Sequence, residues 1–272
     1  LSLLVDSQSH KAKWQEAQAQ HSIALHCQSD KERKIAQQEQ ETPRNASMNI
    51  FRFLGDMSHL FSIIVLLLRL RVARNAQGIS VRSHELFLCV FVTRYLDLFF
   101  RFYSIYNSVM KIIYIGSTAS IIYTIKYKEP IKSTYDKSQD TFLHWRFAVA
   151  PCAIIAFATH MIAKGMKGFD AIELLWMFSI YLEAIAILPQ LIVLQRYKEV
   201  ENLTGNYIFF MGAYRALYIL NWIYRANTEK GYKHHWVVYF CGVLQTLLYA
   251  DFFYYYIKAK ARGNRLQLPQ VT

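Results

Sequence analysis

The chain is poor in residues that break helices and in residues that staple loops: 10 Gly, 5 Pro and 4 Cys in 272. So little glycine and proline excludes collagen-like and low-complexity sequence. A hydrophobic fraction of 54% excludes a disordered chain as well. The cysteines build no disulfide framework. Cys27 stands in a polar leader, while Cys89, Cys152 and Cys241 each fall inside an apolar run, with no CxxC pairing. They read as buried free thiols. Also missing are GxGxxG, a Walker loop, HExxH and GxSxG, so dinucleotide, nucleotide, zinc-protease and serine-hydrolase chemistry have no motif to rest on. His234 and His235 are adjacent at a helix end, where their rings diverge, so no metal site and no cofactor are expected.

What is present is unevenly spread. Residues 1–47 hold eight Gln, six Lys/Arg against six Asp/Glu, and no apolar run beyond three. They read as a polar extension, flexible or absent from the working protein, with Met48 as a natural start. The S-I-A-L near residue 22 is too short for a signal core. The whole net charge of +12 therefore falls after Met48. A pI of about 9.5 often marks a nucleic-acid binder. Here the charges separate long apolar stretches, which is the pattern of a membrane protein, and no nucleic-acid partner is needed.

A bilayer core of about 30 Å needs roughly 20 residues of helix. Seven stretches approach that length: about 49–70, 83–103, 106–126, 141–162, 169–195, 205–225 and 235–257. The expected fold is an all-α membrane protein, with seven helices over 48–257 and a basic tail over 258–272. The loops after the first, third and fifth stretches, with the tail, carry fourteen Lys/Arg against seven on the other face. That asymmetry places the C-terminus in the cytosol and Met48 on the luminal side. The sequon Asn202-Leu203-Thr204 then faces the cytosol.

Ionisable residues inside apolar stretches are costly and therefore informative. In the first stretch Arg52, Asp56 and His59 share a helix face at spacings of four and three. The second contains T-R-Y-L-D, with Arg94, Tyr95 and Asp97. The fifth carries Glu173, Trp176 and Glu183, the sixth a stripe of Tyr214, Tyr218, Asn221, Trp222 and Arg225 beside Arg215, and the seventh Asp251 ahead of a run of aromatics. Three arginines, a histidine and aromatic rings in the luminal halves of these helices suggest an inward polar cavity of positive character. Guanidinium groups bind carboxylates in a bidentate fork.

From Met48 onward the chain resembles the ER retention receptors, the family that retrieves proteins ending in Lys-Asp-Glu-Leu or His-Asp-Glu-Leu, and reads like a plant-type member. The resemblance is carried by M-N-I-F-R-F-L-G-D-M-S-H-L, T-R-Y-L-D-L-F, Y-N-S-V-M-K-I-I-Y-I, S-I-Y-L-E-A-I-A-I-L-P-Q-L, Y-R-A-L-Y-I-L-N-W-I-Y-R and Y-A-D-F-F-Y-Y-Y. It implies a fold like the SWEET and PQ-loop transporters, two three-helix repeats joined by the fourth helix. Pro189-Gln190 supplies one copy of the proline–glutamine element.

The resemblance also implies roles. Arg94 takes the signal's terminal carboxylate, Arg52 its Glu and Arg225 its Asp. Asp97, Glu173, Trp176 and Trp222 surround the signal's Lys or His, and Tyr95, Tyr218 and Asn221 complete the ligand site. His59 is the proton sensor, with Glu183 and Tyr214 responding to it, so that cargo is bound in the acidic Golgi and released in the neutral ER. Arg215 and Asp251 belong to the switch that exposes Lys258, Lys260, Arg262 and Arg265 to coatomer. The tail lacks an adjacent lysine pair and runs past the family's usual end, and it lies near membrane lipid. The implied location is the ER and cis-Golgi membrane, and the implied activity is not enzymatic. The alternative function is a small-solute carrier, such as a sugar transporter.

Overall fold

The computed structural model describes residues 49–99, 104–197, 199–229, 232 and 234–269, without the side chains of Asp97, Phe99 and Lys167. The polar extension, its Cys27 and the start at Met48 lie outside the described residues. Among the described residues the chain is helical, and its one β-contact is an isolated bridge between Val200 and Leu266. The longer helices in order are α1 (Ile50–Val72), α2 (Val81–Arg94), α3 (Ile105–Tyr127), α4 (Trp145–Lys164), α5 (Ala171–Arg196), α6 (Asn202–Thr228), α7 (Trp236–Leu248) and α8 (Ala250–Ala261).

Four of these, α1, α3, α4 and α5, are long and apolar enough to cross a membrane; α7 and α8 make a fifth span if the pair, bent by 41°, is taken together. Four helix starts are chemically marked. Asn49, Ser80, Ser104 and Asp170 each cap a helix by accepting a backbone N–H from the first turn, on Arg52, Ser83, Asn107 and on both Ile172 and Glu173. α2 has only 14 residues and ends at Arg94 before a 3₁₀ turn over Leu96–Phe99, so it is shorter than the stretch 83–103. The expected seventh helix is broken at Tyr249, where no glycine or proline announces a bend.

Proline shapes two helices. Pro151 follows a first turn of α4 that is widened to a π-helix over Trp145–Val149, in keeping with the backbone donor that proline lacks. In α5 the helix relaxes around Ala186 and Ile187, before Pro189, and the freed Ala186 carbonyl accepts the Ser83 hydroxyl of α2. Gln190 is fully buried; its amide donates to the Gly78 carbonyl and its oxygen accepts Ser80 N–H, each at 2.8 Å. Proline opens the turn and glutamine ties it to the start of α2.

The core runs along the α1–α6 contact, the most extensive helix pair, with α2 against α3 and α5, and α7 against α5 and α6. Small residues allow the close approach. A Cβ on Gly55 would meet the Tyr218 ring at 2.9 Å, and one on Gly212 would meet the Phe253 ring at 2.6 Å. At the other end of α1, Asp140 is buried and accepts the hydroxyls of Ser80 and Tyr135, which pins the loop after α3 to the start of α2. Burial and this carboxylate raise the Tyr135 pKa.

Candidate functional site

The apolar faces of α2, α5, α6 and α7 close around a cavity of about 190 Å³ lined by Arg94, Trp176, Glu183, Arg215, Tyr218, Trp222 and Gln245, among others. Glu183 is its electrostatic centre. Its two oxygens are divided: one pairs with Arg94 Nη1, while the other takes Arg215 Nη2 and the Tyr214 hydroxyl, the last at 3.0 Å. Arg94 Nε donates to Ser179 Oγ at 3.0 Å, and that hydroxyl donates to the Trp176 carbonyl at 2.6 Å. Glu183 and Arg215 are buried, with side chains 6% and 9% exposed. Two guanidinium groups thus share one carboxylate, which leaves one positive charge uncompensated.

Helical periodicity explains the far wall. Tyr214, Tyr218 and Trp222 recur every four residues on one face of α6. Trp222 is pressed against α7, where a Cβ on Gly242 would lie 2.5 Å from its ring. Beneath the ion cluster His59 is stacked between Tyr114 and Tyr214, with ring centroids 4.4 and 4.6 Å away. The opposite side of this region holds Asp56, which accepts the hydroxyls of Tyr106 (2.8 Å) and Tyr218.

The structure therefore gathers part of the sequence-predicted set. Arg94, Trp176, Tyr218 and Trp222 line one cavity, together with Glu183 and Arg215. His59 and Tyr214 adjoin it through the stack and the Glu183 hydrogen bond. Arg52, Asn221 and Arg225 lie outside it with partners of their own. Arg52 donates to Asn107 Oδ1 at 3.0 Å, Asn221 accepts from Asn49, and Arg225 forms a two-bond pair with Glu229 at 2.9 Å. Glu173 pairs with Lys164. Tyr95 stacks on Phe91 and carries the Lys111 ammonium over its ring. The Asp97 side chain lies outside the described residues.

Arg215 and Asp251 are not brought together: Arg215 is turned to Glu183, and Asp251 is exposed at the start of α8. In the tail, Lys258 and Lys260 lie over the Tyr254 and Tyr256 rings, Arg262 is exposed, and Arg265 pairs with Glu199. The tail folds back so that Val200 N–H reaches the Leu266 carbonyl at 2.9 Å. Gln245 and Gly242 line the cavity although no motif marks them; the lone amide in the run W-V-V-Y-F-C-G-V-L-Q is the available signal.

Several helices long and apolar enough to cross a membrane, and a cavity whose lining carries two arginines and one glutamate, define a helical membrane protein. Comparison with known proteins narrows this class. The family described as "ER lumen protein retaining receptor" matches residues 75–225. The chain is 50% identical to "ER lumen protein-retaining receptor B" of Arabidopsis thaliana over 222 residues, 82% of this chain and 100% of that protein. It is 49% identical to the Petunia hybrida receptor and 46% identical to that of Drosophila melanogaster, again over 222 residues, with the same shares of both chains. The chain belongs to the ER lumen protein retaining receptor family.

Proposed function

We propose that this chain is a pH-dependent sorting receptor, not an enzyme. It binds Lys-Asp-Glu-Leu or His-Asp-Glu-Leu at the C-terminus of soluble ER proteins in the Golgi and returns them to the ER in retrograde vesicles. The observation that carries the reading is the Arg94–Glu183–Arg215 cluster, with Glu183 and Arg215 buried and Arg94 half-buried, two cations on one carboxylate beside a cavity. A neutral sugar gives such a cluster no counter-charge, whereas a carboxylate completes it.

Dimensions support the same ligand. At about 190 Å³ the cavity is small beside the roughly 300–1,000 Å³ of ordinary ligand pockets and suits an end group, not a whole tetrapeptide. Ten residues separate Arg215 from Arg225 on α6, about 15 Å of helix rise. An extended tetrapeptide spans about 13 Å. In this reading Arg94 holds the terminal carboxylate in the cavity, and the signal's acidic side chains extend toward Arg52 and Arg225. Its basic residue lies near Asp97, Glu173, Trp176 and Trp222, with Tyr95, Tyr218 and Asn221 completing the walls. His59, with Glu183 and Tyr214, senses the proton.

We further infer seven spans, with α2 and its 3₁₀ extension as the second and α7–α8 as the last, arranged as two three-helix repeats joined by α4. Met48 then faces the lumen of the ER and cis-Golgi, and the C-terminus faces the cytosol. Arg215 and Asp251 relay occupancy to the tail, where Lys258, Lys260, Arg262 and Arg265 meet coatomer and anionic lipid. The test is binding of a labelled His-Asp-Glu-Leu peptide to the purified receptor at about pH 5.5 and about pH 7.4, with its C-terminal amide as control. Tighter binding of the free acid at the lower pH is expected. Equal affinity for acid and amide removes the reading.

A further inference from the structure

Three N–H donors on the cavity residues are buried and have no partner: Arg94 Nη2, Arg215 Nε and Gln245 Nε2. Other buried polar atoms share that condition, among them His84 Nε2 and Tyr207 OH. These two groups adjoin a different, mostly apolar cavity of about 10 Å³, room for a single water. What sets the first cavity apart is that its unpaired atoms are all donors and that they meet a net positive charge. Glu183 does not serve them: its described partners are Arg94 Nη1, Arg215 Nη2 and the Tyr214 hydroxyl.

Gln245 is the unassigned member of the three. It sits in the second half of α7, 1% exposed, one turn from Gly242 and Cys241 on the cavity wall. An amide in a membrane helix ordinarily earns its place by bonding a neighbouring helix, and the Gln245 NH₂ has no such bond. The lining of its cavity divides in chemistry: Arg94, Arg215 and Glu183 are charged, while Ile180, Val238 and Trp222 are apolar or aromatic. An acceptor-only group with one negative charge, attached to an aliphatic side chain, satisfies both halves. A water or a hydroxyl satisfies the donors and leaves the charge standing.

We propose that Gln245 is a ligand-contacting residue, the neutral third donor that, with Arg94 and Arg215, forms a carboxylate receptor for the C-terminal aliphatic residue of the bound peptide. This rests on the receptor reading above and adds a specificity element on α7. The neutral amide matters because it donates without adding charge. Glutamate at the same place has nearly the same shape, but it cancels the surplus and faces the ligand's carboxylate with its own.

The experiment measures, for wild type, Gln245→Leu and Gln245→Glu, the ratio of affinities for a free-acid His-Asp-Glu-Leu peptide and its C-terminal amide, with thermal unfolding of each protein alongside. Loss of one hydrogen bond to a charged group predicts that Gln245→Leu lowers the acid-to-amide ratio by about tenfold or more. Gln245→Glu is expected to bring the ratio close to one at neutral pH, with partial recovery at acidic pH as the new carboxyl protonates. If both variants unfold at the wild-type temperature and keep the wild-type ratio, the role of Gln245 is overturned. If wild type itself does not distinguish acid from amide, the receptor reading has failed before Gln245 is reached. Gln245→Glu keeps the side-chain volume, so the ratio is still measured should the leucine variant unfold.

Discussion

The arginines of this receptor occupy two settings. Arg94 and Arg215 share Glu183 at the cavity, whereas Arg52 and Arg225 sit away from it, one bonded to a neutral Asn107 and the other to Glu229, just past the end of its own helix. The Arg225–Glu229 pair is about a quarter exposed on both sides and spans one helical turn. Pairs of that kind contribute little, because water already solvates both partners. The interior cluster is different in kind. Neither arginine has a described alternative carboxylate, so each depends on Glu183 and on whatever enters the cavity. Burial, not the number of arginines, decides where a ligand's charge is felt most strongly.

The sharpest way to break that comparison is to remove the carboxylate from each setting. Glu183→Gln leaves buried Arg215 and half-buried Arg94 without a counter-charge, which costs about 3–5 kcal/mol. Glu229→Gln is expected to cost less than about 1 kcal/mol. Thermal unfolding in detergent checks both. Equal melting temperatures for the two variants would put the interior cluster on the same footing as a surface pair.

A smaller effect is expected where the cavity wall is steric. A methyl group on Gly242 lands 2.5 Å from the Trp222 ring, so either the indole moves into the cavity or α6 and α7 separate. Overpacking of this sort costs about 1–3 kcal/mol. Gly242→Ala should therefore lower both the unfolding temperature and the affinity for the free-acid peptide. Gly116 on α3 has open space around it, and Gly116→Ala should stabilise by about 0.5–1 kcal/mol through helix propensity. If the two alanines behave alike, contact with Trp222 is not what limits position 242.

Much of this was legible in the sequence, and the limits have physical reasons. Apolar runs located the helices well, because hydrophobicity over twenty residues is a property of the run itself. Periodicity gave the Tyr214–Tyr218–Trp222 face, since residues four apart must share a side. It could not give partners between helices. Arg215 lies next to Tyr214 on α6, and no spacing reveals that Glu183 of α5, and not Asp251 of α8, is its neighbour. The break at Tyr249 was equally hidden. It occurs among aromatic residues that favour no bend locally, where Tyr249 is fully buried beside Gly212. In the sequence the proline–glutamine element is only a family mark, and its mechanical role needs Gly78, Ser80 and Ser83 in place.

The smallest effect concerns pH and joins the two settings through one ring. Tyr214 carries His59 on its face at 4.6 Å and the Arg215 guanidinium at 5.0 Å, so a protonated His59 shares that ring with a second cation. No carboxylate forms an ion pair with His59 among the described residues. A ligand carboxylate bound at Arg94 and Arg215 supplies the missing negative charge. Protonation and binding then favour each other, and affinity falls as the pH rises. The ratio of affinities at about pH 5.5 and about pH 7.4 is therefore expected to exceed one in the wild type. His59→Phe keeps an aromatic ring between Tyr114 and Tyr214 and removes the proton, so the ratio should fall toward one. An unchanged ratio would assign the pH response to another group. Because this coupling needs the ligand's charge in the interior cavity, Arg225→Ala should weaken binding at both pH values while leaving more of the ratio intact than His59→Phe does.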